Sequence, residues 1–312
     1  MQSGEEAPEP APRPAPRSPF DKLTTRGLLT QVALFVFIAL AGVMVAFPAV
    51  RRSANVGIIM LLTYAVTTVV IAARGHLAHL DWRKVVGRPP TTADLPLLAV
   101  IMPLALVTAG ALILVFVPLS YVAPREVEQM MLSHSGLEDI HTGLQLAITV
   151  FVMVIGAPVV EELLFRGIIL QRFAHKWGTA TAVVASSMLF AVLHAEWAGH
   201  FVTGAALALI YIRTRSLWMG MITHGAYNAL FAVPMALAFL RGEKEPTTTL
   251  AEFRGTLGPG ALALCAGSLL LWFYLDLYWP DGRAASTLAG PVPYDAEGAS
   301  TVTGTEDSTS AS

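Results

Sequence analysis

The sequence predicts an all-α, polytopic integral membrane protein, with about eight transmembrane helices around an intramembrane polar cavity. Three observations lead there. The chain of 312 residues is 54% hydrophobic and only 13% charged, where a soluble domain usually carries about 25% charged residues. Apolar runs long enough, or nearly long enough, to cross a hydrocarbon layer of about 30 Å recur along it. The two ends lack such runs and are rich in Pro, Gly, Ser and Thr.

Residues 1–26 open with "MQSGEEAPEPAPRPAPRSPF". This stretch has no apolar core of the kind a signal peptide needs and reads as a disordered, polyproline-prone tail. The transmembrane domain then runs from 27 to 280. Its apolar segments fall at about 27–49, 54–73, 94–122, 143–172, 178–195, 198–213, 216–240 and 259–279. The sixth is short. Residues 124–142 are polar and mixed, suited to an interfacial helix or a long loop. Residues 281–312 form a second disordered tail, low in apolar residues.

Lys and Arg in the connections set the orientation. With the N-terminus inside, the inner side holds Arg13, Arg17, Lys22, Arg26, Arg74, Arg83, Lys84, Arg88, Arg172, Lys176, Arg213, Arg215 and Arg283. The outer side holds only Arg51, Arg52, Arg125, Arg241, Lys244 and Arg254. Both termini are therefore expected in the cytoplasm.

The net charge of −2 and the lack of a basic patch argue against a nucleic-acid partner. A single cysteine, Cys265, permits no intramolecular disulfide and no CxxC motif. It lies in "ALALCAGSLLLWF" and is expected to be a buried structural thiol.

The unusual stretch is "IGAPVVEELLFRGIIL", residues 155–170. Each charge at the bilayer centre costs roughly 2.5–3.5 kcal/mol, so Glu161, Glu162 and Arg166 together would cost on the order of 8–10 kcal/mol if unpaired. Glu162 and Arg166 stand at i and i+4, on one helix face, and can pair. Glu161 lies about 100° round the helix and has no local partner. Pro158 has no N–H to offer the carbonyl of Val154, and with Gly156 beside it a kink is expected just before Glu161.

Two polar pairs follow. "SSMLFAVLHAEW" spaces Phe190 and His194 by four residues, and "MGMITHGAYNALF" does the same for His224 and Asn228. The remaining histidines, His200 among them, fall in connections or at span edges. "HAEWAGH" is not the HExxH zinc helix, because Glu196 and His200 stand at the wrong offsets from His194.

A buried carboxylate near an imidazole can take a proton from water, and a second His with an Asn amide can donate to a developing oxyanion. No GxSxG elbow or Ser–Lys pair is present to supply a serine nucleophile.

"EELLFR", "FAVLH" and "HGAYN" match the EExxxR, FxxxH and HxxxN motifs in order, over about residues 143–235. In this the chain resembles the CPBP family, which groups type II CAAX prenyl endopeptidases with bacteriocin-processing and self-immunity proteins. The resemblance implies an intramembrane endopeptidase acting near the end of a membrane-associated protein or peptide. Glu161 would activate water, His194 would assist, His224 and Asn228 would stabilise the oxyanion, and Glu162 and Arg166 would hold the site in shape. Family members have been described both as metal-free glutamate enzymes and as metalloproteases. Metal-free chemistry with no cofactor is favoured here. Zinc held by Glu161, His194 and His224 is the alternative. Rival classes are a non-catalytic immunity or scaffold protein of the same fold and a transporter using the buried Glu and His groups. The scarcity of other acidic residues in the spans weighs against a transporter relay.

Overall fold

The computed structural model describes residues 18–46, 56–133, 140–194, 196–242 and 249–278, with Val292 and Tyr294. These residues form helices and no named strand. In order they are α1 (Pro19–Lys22), α2 (Thr25–Ala46), α3 (Val56–Leu77), α4 (Trp82–Val86), a 3-10 turn (Thr92–Val100) leading into α5 (Ile101–Val122), and α6 (Pro124–Ser133). A long irregular helix, α7 (Gly143–Trp177), follows, then α8 (Thr179–Val192), α9 (Trp197–Thr214), α10 (Leu217–Leu240), α11 (Leu250–Gly255) and α12 (Leu257–Tyr278).

Every apolar segment expected from the sequence contains a helix, but among the described residues only six of the eight are long and apolar enough to span: α2, α3, α5 with its 3-10 lead, α7, α10 and α12. The fifth and sixth fall short for different reasons. α8 has 14 residues, about 21 Å at 1.5 Å per residue. α9 has 18 residues but carries His200, Thr203, Arg213 and Thr214. The polar connection after α5 resolves as the short amphipathic helix α6, with residues 134–139 outside the described ones.

Large apolar side chains cover the outside of the bundle, and several polar and charged ones are turned inward, as lipid demands. Phe37, Leu262, Trp272 and Leu277 are exposed, whereas Glu162, Arg166, Gln171, Ser187, Thr203 and His224 are buried. α5 and α7 lie at the centre of the bundle, and α2 and α12 at its edge. α12 meets α5 along Gly260, Gly267 and Gly110. A Cβ on Gly110 would lie 2.5 Å from the Leu264 nitrogen, and one on Gly267 2.8 Å from that of Val107. Only hydrogen at these positions allows the backbones so close. Cys265 is exposed, contrary to the buried thiol expected. It sits five residues after Gly260, about 140° round α12 from the contact face.

Residues 18–26, expected within the N-terminal tail, are instead folded. Ser18 caps α1 with Pro19 in its first turn, a strong helix-start signature, and Phe20 and Leu23 are 1% exposed in the core. Residues 1–17 lie outside the described residues, as does the expected C-terminal tail apart from Val292 and Tyr294. Tyr294 meets Phe20 edge-on, with ring centroids 5.0 Å apart.

The connections that the charge count assigns to one side do gather at one end. Asp21 pairs with His175 at 3.3 Å. The Arg88 N–H donates to the Arg215 carbonyl at 3.2 Å. The Tyr211 hydroxyl donates to the Val85 carbonyl at 2.8 Å. At the other end α6 and α11 pack on α5 through Val127, Phe253 and Val117.

Candidate active site

The site is built on a defect in α7. Pro158 cannot donate to the carbonyl of Val154, and the helix there is not regular: Val152–Gly156 is π-helical, and so is Leu163–Leu170 beyond Glu162. Such widened turns leave carbonyls free for partners from other helices. The Met153 carbonyl accepts from Asn228 Nδ2 of α10 at 2.8 Å. The Val154 carbonyl faces Gly225, one turn of α10 away, where an added Cβ would come within 2.5 Å of it. Gly225→Ala therefore forces α10 off α7. The expected cost is about 1–3 kcal/mol, seen as a lower unfolding temperature in detergent.

This seam brings Glu161, Glu162, Arg166 and His224 together, and it separates the two carboxylates by environment. Glu162 is 0% exposed. Its Oε1 accepts from Arg166 Nη1 at 2.8 Å and lies 3.0 Å from His224 Nδ1. Arg166, 1% exposed, also donates from Nη2 to the Gly204 carbonyl of α9 at 2.9 Å. Its guanidinium lies 4.8 Å over the Phe190 ring. These contacts offset part of the desolvation cost of burying the pair. The other oxygen of Glu162, Oε2, has no hydrogen-bond partner among the described residues. It faces Gly220, where a Cβ would stand 3.0 Å away.

Glu161 keeps 13% of its side chain accessible. One oxygen accepts from the Tyr64 hydroxyl of α3, and the other lies 3.9 Å from His224 Nε2. His224 thus stands between the two carboxylates, nearer to Glu162. The sequence paired Glu162 with Arg166 correctly and left Glu161 without a local partner. Its partner Tyr64 lies 97 residues back. The only local signal was a lone tyrosine among the aliphatic and threonine residues of "LLTYAVTT".

His194 lies in the turn after α8, not within a span. Its Nδ1 is 2.8 Å from the Phe190 carbonyl. Phe190 links it to the buried group, with ring centroids 4.5 Å from His194 and 5.9 Å from His224. No hydrogen bond or ion pair joins His194 to Glu161 directly. A cavity of about 730 Å³ is lined by His194, His200, Glu196, Tyr227 and Asn228 on one side and by Met60, Met130, Met131 and Met153 elsewhere. Glu161, Glu162 and His224 are not part of that lining. The zinc set of Glu161, His194 and His224 is not assembled: among the described residues no three His, Cys, Asp or Glu side chains are grouped to hold a metal ion.

Comparison with known proteins falls on this same segment. The sequence model described as type II CAAX prenyl endopeptidase Rce1-like matches residues 143–230. The curated protein named "Putative membrane peptidase YdiL", from Bacillus subtilis (strain 168), is 30% identical over 103 residues, which is 32% of this chain and 42% of that protein. UPF0177 protein YbdI of Lactococcus lactis subsp. lactis (strain IL1403) is 31% identical over 85 residues, 26% of this chain and 45% of that one. The chain spans less than half the length of either relative. No solved structure matches. Residues 143–230, which hold Glu161, Glu162, Arg166, His194, His224 and Asn228, carry the type II CAAX prenyl endopeptidase Rce1-like pattern.

Proposed function

We propose that this integral membrane protein is an intramembrane endopeptidase that hydrolyses a peptide bond near the end of a membrane-associated protein or peptide, with Glu161 as the base. One observation carries the choice of Glu161: of the adjacent carboxylates, Glu162 is sealed at 0% exposure beside Arg166, while Glu161 keeps 13% of its side chain accessible. A base must reach water, and of these two only Glu161 can.

Glu161 takes a proton from water as the oxygen attacks the carbonyl carbon, and later returns it to the leaving amine. His194, with Nδ1 against the Phe190 carbonyl, has Nε2 left to orient that water. Asn228 uses Nδ2 on Met153, but an amide nitrogen has two hydrogens, so the second is free for the oxyanion. His224 is anchored on Glu162 through Nδ1, and in its doubly protonated form it also has an Nε2 hydrogen to offer for the same purpose. Glu162 and Arg166 hold this geometry. The bundle end that carries Lys22, Arg74, Lys84, Arg88 and Arg215 is proposed to be the cytoplasmic one, on the excess of Lys and Arg in its connections, and both termini are proposed to face the same side.

The chemistry proposed is metal-free. The purified chain, in lipid nanodiscs with a library of membrane-anchored peptides read by mass spectrometry, is expected to release cut products. The rate is expected to be unchanged by strong chelation. Loss on chelation with recovery on adding zinc would overturn the metal-free mechanism. No cut peptide in the library and no changed termini in cells would overturn the endopeptidase.

A further inference from the structure

His200 belongs to none of the three motifs, and the sequence places it at the edge of a span. The structure lays its ring flat on His194, with centroids 4.1 Å apart and planes within 13°. Phe190 also packs on His194, at 4.5 Å, and stands 6.0 Å from His200. The His194 ring thus packs against two other rings, the three centroids forming a triangle, although its backbone lies in a turn, where a side chain has few neighbours of its own to fix it.

The two imidazoles also make the same bond. His194 Nδ1 is 2.8 Å from the carbonyl of Phe190, and His200 Nδ1 is 2.9 Å from the carbonyl of Glu196. Each partner is four residues back. A carbonyl only accepts, so each Nδ1 carries the hydrogen, and in the neutral ring Nε2 keeps the lone pair. Both residues line the cavity. The carboxylate of Glu196 lies 3.5 Å from His200 Nδ1 and steadies the second ring in turn.

We propose that His200 is a positioning residue for His194. Its stacked ring fixes the plane of the His194 imidazole, keeps Nδ1 on the Phe190 carbonyl, and leaves the Nε2 lone pair for the cavity. The consequence for rate rests on the hydrolytic reading of the site, but the placement of the ring does not. A general base or water-orienting group works only in register with its proton, and a misplacement of about 1 Å can cost as much as 10²-fold in rate.

The test separates the two levels. Nitrogen NMR of the full chain, labelled at histidine and held in lipid nanodiscs, reads the tautomer of His194, assigned through His194→Gln. The wild-type ring is expected as a single Nδ1–H tautomer. His200→Ala, or His200→Leu should the alanine variant not fold, is expected to give averaged signals. His200→Phe, which keeps a flat ring, is expected to restore the single tautomer. In the cleavage assay His200→Ala is expected to lower kcat roughly 10-fold with KM little changed, and His200→Phe to recover most of it. An unaltered His194 tautomer in His200→Ala or His200→Leu would overturn the proposal, and so would failure of His200→Phe to restore it. If the wild-type chain cuts no peptide, the endopeptidase reading falls, and the NMR result still decides the role of His200.

Discussion

Glu161→Gln is expected to lower cleavage about 10²–10⁴-fold, the usual contribution of a positioned general base, while leaving the fold intact. The argument rests on how Glu161 is held. Its neighbours are the Tyr64 hydroxyl and, 3.9 Å away, His224 Nε2, and a glutamine can still accept from Tyr64 through its carbonyl oxygen. Unfolding temperature and yield should therefore stay near wild type while activity falls. Glu162→Gln makes the necessary comparison. It also removes activity, but by loosening Arg166 and His224, so its unfolding temperature should drop. Equal stability loss in both variants would mean that the two carboxylates do the same work.

Arg166→Met is expected to be the most destabilising single change, by about 3–5 kcal/mol, because it strands the Glu162 carboxylate in a closed site. The methionine fills much of the volume, so the loss is electrostatic rather than a cavity. It also gives up the donor to the Gly204 carbonyl and the guanidinium over Phe190, which tie α7 to α9 and α8. The double variant Glu162→Gln with Arg166→Met removes both charges and should recover a large part of the stability without recovering activity. Thermal unfolding in detergent checks both statements. A double variant as unstable as Arg166→Met would show that packing, not the unpaired charge, dominates.

The fold class was legible because its cause is compositional: a chain this apolar must place its surface in lipid, and helices are the way to satisfy a backbone there. The number of spans was less legible. Apolar length alone gave α8 and α9 the standing of spans, although α8 is too short and α9 carries polar residues that face inward. The ion pair of Glu162 and Arg166 could be read directly, since i and i+4 share a helix face. The break near Pro158 could be read too, but not its π-helical form, nor that Asn228 would occupy the Met153 carbonyl. What periodicity cannot supply is which helices are neighbours. Tyr64 at Glu161, His224 turned towards Glu162, and His200 stacked on His194 all depend on that. The buried thiol expected at Cys265 failed for the same reason, since an apolar helix does not announce which of its faces meets lipid.

The most direct measurement is a comparison of membrane-protein termini in cells making the wild-type chain and cells making Glu161→Gln at equal level. The account expects a defined set of new termini in the first that is absent in the second, with the uncut precursors accumulating instead. Identical termini in both would contradict it.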